Sequence, residues 1–132
     1  MGAAAFVRRA LIGVPDTVPA RLLARFPELS DIRLRRGGLA VRIGGWSLLQ
    51  PTAVAITLWR YVFLAPDTEP EAELLLHELR HVQQFQASRV FPLRYLLESL
   101  RRGYQENRYE LDAVAFADDC LATRRSTRIQ ER

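Results

Sequence analysis

The run HELRH, His77 to His81, holds both histidines of this 132-residue chain. At about 100° per residue, positions four apart lie about 40° apart on a helix, so both imidazoles can reach one point in space. Two ring nitrogens converging on one point are the start of a metal site. Glu78 is turned about 100° from His77, too far round for a comfortable ligand but well placed to touch a water held on the ion. This is the HExxH arrangement, two zinc ligands and a general base. The opposing reading is two helical histidines, on the surface or in the core, that share this spacing by chance.

A catalytic zinc takes three protein ligands and keeps one position open. Downstream, in NRYELDAVAFADD, Glu110 shares a helical stripe with Ala113, Val114, Ala117 and Leu121. A carboxylate pointing with the inward residues needs a partner. Two readings stay open: Glu110 is the third ligand, or it closes a capping box with Asn107, since it also occupies the third helical position.

HELRHVQQ, followed 29 residues after His81 by Glu110 in an E-x-x-A setting, resembles the gluzincins, zinc peptidases with HExxH on one helix and a glutamate ligand on a later one. It is similar to their very short bacterial members, the minigluzincins. It is also similar to small HExxH domains, with patterns such as HELxHVxQ and NPxExEA, that occur as a core module of contractile injection systems. The likeness runs from about Ile56 to Ala117. It implies an α+β, zincin-like fold: a small twisted sheet packed on an active-site helix, with a C-terminal helix bearing the glutamate. It further implies Zn2+ held by His77, His81 and Glu110, Glu78 as general base, and hydrolysis of a peptide or protein substrate. The injection-system resemblance equally permits a catalytically silent metal-binding scaffold or assembly domain.

Arg80 departs from the uncharged residues usual between the glutamate and the second histidine. It projects about 60° from His77, away from Glu78, towards Asp112, another carboxylate or an acidic group of the substrate. Larger gluzincins continue E-x-x-A with Asp, whereas Val114 stands there and Asp112 is the nearest acid. Asp112 either orients a ligand histidine or is a solvated helix residue. With no third histidine, the hydroxyls available to a developing oxyanion are those of Tyr109 and Tyr104, with Arg80 as an outsider. The opposing reading makes both tyrosines packing residues.

These residues need elements to hold them. PARLLARF can make two helical turns before Pro27, and DIRLRR alternates as a half-exposed strand does. Gly37-Gly38 and Gly44-Gly45 mark breaks. TAVAITLWRYVFLAP reads as one long strand or as a hairpin turning near Leu58-Trp59-Arg60, which lacks the Gly or Asn of a tight turn. Such a hairpin offers an edge strand to which an extended peptide can add. Thr68-Glu69-Pro70-Glu71 predicts a capping box for a helix running to about Val90. Leu75, Leu79 and Val82 give that helix a packing face apart from its histidines. A second helix is expected from Pro92 to about Arg102, and a third from an Asn107 cap to about Ala122. One domain, 1–132, follows: helix and sheet over 1–66, the HExxH and later helices over 67–122, and a frayed tail over 123–132, where its arginines could lie across the cleft and keep the site latent.

At 48% hydrophobic the chain can bury a core, and its single cysteine, Cys120, offers neither a disulfide framework nor a thiolate cluster. No apolar run is long enough for a signal peptide or a membrane span, so a cytoplasmic location is expected. The net charge of +4 comes from 19 basic residues, all arginine. Their clusters, RLRRGGLAVR and TRRSTRIQER, are few and carry no interleaved aromatics, which disfavours a basic nucleic-acid-binding domain.

Overall fold

Alternation in RLRR turns Leu34 into the core and leaves Arg33 in solvent, as the period of a strand requires. The computed structural model describes residues 2–41 and 55–132. Helix α1 (Ala3–Ile12) leads to β1 (Val14–Pro15), α2 (Ala20–Arg25) and a 3-10 turn (Pro27–Asp31). Strands β2 (Arg33–Arg36), β3 (Ala55–Leu58) and β4 (Tyr61–Leu64) follow, then α3 (Ala72–Ala87), α4 (Phe91–Arg102) and α5 (Arg108–Gln130). The sheet order is β1-β2-β4-β3, with β2 and β4 parallel and the outer pairs antiparallel. The architecture is α+β. The Gly44-Gly45 break and residues 52–54 of the expected strand lie outside the described residues.

The hairpin reading holds, and its turn shows how a sequence without glycine manages. Trp59 adopts φ 56°, a conformation strained for a bulky residue. Its indole packs on Phe85 of α3 at 5.8 Å between ring centres, a contact that offsets the strain. The hairpin leaves β3 at the edge of the sheet among the described residues, beside α3.

Helix α3 buries Leu75, Leu76, Leu79 and Val82 completely against the sheet and the 3-10 turn. Each such side chain is worth about 1.5–3 kcal/mol of transfer free energy. Helix α5 lies along α3 with Ala113 and Ala117 inward, small residues that let the two backbones approach. That approach sets the glutamate helix over the histidine helix.

Three expectations need correction. The capping box at Thr68 does not form: the helix starts at Ala72, its N-cap is Glu71, and no side chain caps it. The Thr68 carbonyl accepts from Arg36 Nη1 at 2.6 Å, and Pro70 holds Glu69 away from helical geometry, so the preceding segment is tied to the sheet instead. At its other end α3 stops at Ala87 rather than Val90, because Ser88 is extended ahead of the helix that Phe91 and Pro92 begin. The tail is not frayed. Helix α5 continues to Gln130, for no Gly or Pro follows Ala122 to end it, although its last turns are exposed as expected. Arg124 pairs with Glu28 at 3.4 Å, and no residue of 123–132 lines the cleft described below, so the tail does not lie across it. Helix α1, with no buried residue, was not foreseen. No helix among the described residues is long and apolar enough to cross a membrane.

Candidate metal centre

Helical spacing brings His77 and His81 together as expected, their Nε2 atoms 3.2 Å apart. Asn107 caps α5, its side chain accepting from the Tyr109 amide at 2.9 Å, and this fixes where the first turn points. Glu110, one turn into that helix, faces the histidines. Its Oε2 lies 2.9 Å from His77 Nε2, and its Oε1 lies 3.2 Å from His81 Nε2. Glu110 does not reach back to cap its own helix among these contacts. His81 and Glu110 are buried and His77 is half-buried.

The donor set fits a tetrahedral zinc. With metal–nitrogen bonds of about 2.0–2.1 Å, neighbouring ligand atoms sit about 3.3–3.4 Å apart. The histidine Nε2 atoms are 3.2 Å apart and Glu110 Oε2 is 2.9 Å from that of His77, near this spacing, and one ligand atom from each of the three residues lies within 4.8 Å of the other two. Burial alone would lower the His81 pKa, but its bond to Glu110 and the charges of Glu78 and Glu110 outweigh burial and raise it to about 9. Burial likewise works against ionised Glu110, yet bonds from His77, His81 and Tyr95 hold its carboxyl well below the usual carboxylate range.

The surrounding residues orient these groups. Gln84 donates its amide N–H to the Tyr109 carbonyl at 3.1 Å and to Asp112 at 2.9 Å. Its oxygen is thereby turned to His81 Nδ1, 2.8 Å away, which makes Nδ1 a donor and aims Nε2 at Glu110. Asp112 thus meets His81 through Gln84 rather than directly. Arg80 binds the same carboxylate, Nε to Oδ2 at 2.7 Å, and lies over the Phe116 ring. That bond, above all, lowers the Asp112 pKa and raises that of Arg80.

Glu78 is buried too, and the Thr57 hydroxyl on β3 donates to its Oε2 at 2.6 Å. Glu78, His81 and Glu110 line one cleft of about 240 Å³, walled by β3 and by Phe85, Phe91, Tyr95 and Tyr104. Tyr95 donates to Glu110 Oε1 at 2.6 Å. Burial first, then the Glu110 charge, pushes its phenol far above the usual range, so it stays a donor. Tyr104 is raised for the same reasons in the same order. Tyr109 is not among the cleft residues; its hydroxyl accepts from Arg108 and its ring packs on Phe91.

Thr57, Gln84 and Tyr95 are therefore the contributors that sequence reasoning missed. Gln84 had a readable signal, lying one turn beyond His81 on the same helix. Thr57 and Tyr95 had none, since their roles follow from which elements become neighbours.

Residues 13–89 match the family model of the eCIS core domain, the core domain of extracellular contractile injection systems. No curated protein and no solved structure matches the chain. The matched stretch takes in the sheet, His77, Glu78 and His81, and ends before Tyr95 and Glu110.

Proposed function

The chain belongs to the eCIS core domain family, and from that premise we propose that it is a zinc-dependent domain that hydrolyses peptide bonds in the manner of a short gluzincin. The observation that carries this reading is the convergence of His77, His81 and Glu110 at the wall of a cleft that His81 and Glu110 line together with Glu78.

In this reading His77, His81 and Glu110 hold the metal. Zinc, when bound, supplies a Lewis acid that lowers the pKa of a water and polarises a carbonyl. Glu78 accepts the proton of the attacking water and passes it to the leaving amine. Because Thr57 occupies Oε2, the other oxygen of Glu78 is the one that carries the proton. Tyr95 and Gln84 keep the ligands aimed. Tyr104 offers a hydroxyl to the carbonyl oxygen of the substrate. Strand β3 can align an extended peptide through its backbone, and Phe85 and Phe91 give an apolar side chain somewhere to rest.

A second reading, a metal-binding assembly domain without catalysis, is favoured by one observation: the family that residues 13–89 match is the core domain of extracellular contractile injection systems. The experiment that separates the two is hydrolysis of an unfolded protein by the zinc-loaded chain and by its Glu78→Gln variant. Cleavage that the substitution abolishes supports the peptidase. Zinc bound with no cleavage in either form supports the assembly domain.

A further inference from the structure

Helix α4 has two faces with different duties. Phe91 and Tyr95 turn inward to the cleft, and Glu98 is buried. On the opposite side Leu93, Leu96, Leu97 and Leu100 follow the spacing i, i+3, i+4, i+7, which gathers them within about 100° of arc. Core leucines belong under another element, but these are 67%, 55%, 47% and 77% exposed. They form a convex ridge rather than a pocket.

The charge around the ridge has one sign. Arg94 and Arg101 flank it on one side, both exposed, whereas Arg102 lies on the opposite side of the helix. The only carboxylate of α4 is Glu98, which is buried and paired with Arg102 at 3.1 Å. A leucine ridge with arginine heads at its border has the composition of a helix that lies in the headgroup layer of a membrane. We infer that α4 is a docking element for an anionic lipid bilayer, its leucines entering the acyl boundary and its arginines meeting lipid phosphates and carboxylates. Anionic lipid adds attraction for each arginine near the surface. The cleft, on the other side of α4, stays open to solvent when the helix is so seated.

Two other occupants fit less well. A second copy would meet the ridge with the same arginines, so that Arg94 and Arg101 face like charges. Moreover, a helix about 18 Å long supplies less than the roughly 800 Å² per partner of a stable interface. An acidic groove on another protein satisfies the charge, yet a ridge of leucines without Trp or Tyr lacks the anchors from which protein interfaces draw most of their energy. The inference does not depend on zinc or on catalysis.

The test is sedimentation of the full chain with vesicles of phosphatidylcholine alone and of phosphatidylcholine with about one third phosphatidylserine. Binding to the anionic vesicles at least about tenfold above the neutral ones, weakened by salt, is expected. The exposed double substitution L93S/L97S should abolish it with the circular dichroism spectrum unchanged. If that variant fails to fold, Leu100→Ser, at the most exposed position of the ridge, makes the same test. R94Q/R101Q should reduce anionic binding by about tenfold or more while leaving the fold intact. Equal binding to both vesicles, or none to either, overturns the proposal. So does a leucine-dependent dimer, or capture of a synthetic Glu-rich amphipathic helix, by a chain that ignores vesicles; the first assigns the ridge to a second copy and the second to an acidic protein groove.

Discussion

The Thr57 hydroxyl donates to Glu78 Oε2 at 2.6 Å, tying the edge strand to the one acidic residue of HELRH. This bond orients a buried carboxylate that binds no other side chain among the described contacts, and it places strand and base side by side on the cleft wall. Glu78→Gln keeps a group of the same shape that can still accept from Thr57. Zinc content and melting temperature should therefore hold, while peptide hydrolysis falls by about a hundredfold or more. Parallel metal analysis, thermal melting and peptide cleavage check this.

Glu110 gathers three donors at once, from His77, His81 and Tyr95. Glu110→Gln leaves an amide that ligates zinc poorly, and affinity should fall by about tenfold or more. As a mere helix cap, Gln would serve and affinity would not move. Zinc titration against a competing chelator separates the two outcomes. Tyr95→Phe, which removes only the supporting hydroxyl, should weaken zinc in the same direction by about tenfold.

Gln84 and Gln83 are adjacent on α3 and differ in what they touch. Gln84 joins His81 to Asp112 and the Tyr109 carbonyl, whereas Gln83 receives only Arg80. Gln84→Ala should lower zinc affinity by about 10–100-fold, and Gln83→Ala should leave it unchanged, in the same titration.

How much of this was legible beforehand follows from which residues act locally. The histidine pair, its packing face and the inward aim of Glu110 depend on helical periodicity, and the structure carries all three. The Asn107 cap, another local feature, is also present. Thr68 had the local chemistry of a cap as well, but Arg36 captures its carbonyl from a strand 32 residues earlier in the chain. Tyr95 and Thr57 reach the site only through the packing of α4 and β3 against α3, which no window of sequence contains. Tyr109 is next to Glu110 in sequence, yet on a helix the preceding residue points about 100° away, and it stays outside the cleft.

Asp16 and Arg36 predict an acid sensitivity. Their bond, 2.9 Å, lowers the Asp16 pKa from its ordinary 3.8, with a backbone bond from Thr17 adding to the effect. A carboxyl lowered in the folded state contributes stability above its unfolded pKa and loses that contribution as pH falls through the folded value. Wild type should therefore lose this increment below about pH 3.8, and Asp16→Asn should lack it at neutral pH, which narrows the gap between the two proteins in acid. Urea unfolding across pH 2–7 measures that gap, about 1 kcal/mol or less for so exposed a pair.

The claim on which the rest depends is that His77, His81 and Glu110 hold zinc. Elemental analysis of the purified chain and of His77→Ala addresses it without any assumption about substrate. About one zinc per chain is expected in the wild type, with little or none in the variant, and excess chelator should lower the wild-type melting temperature, because a metal bound only by the folded form stabilises it. Wild type without zinc, or equal zinc in both proteins with melting indifferent to chelator, would contradict the account.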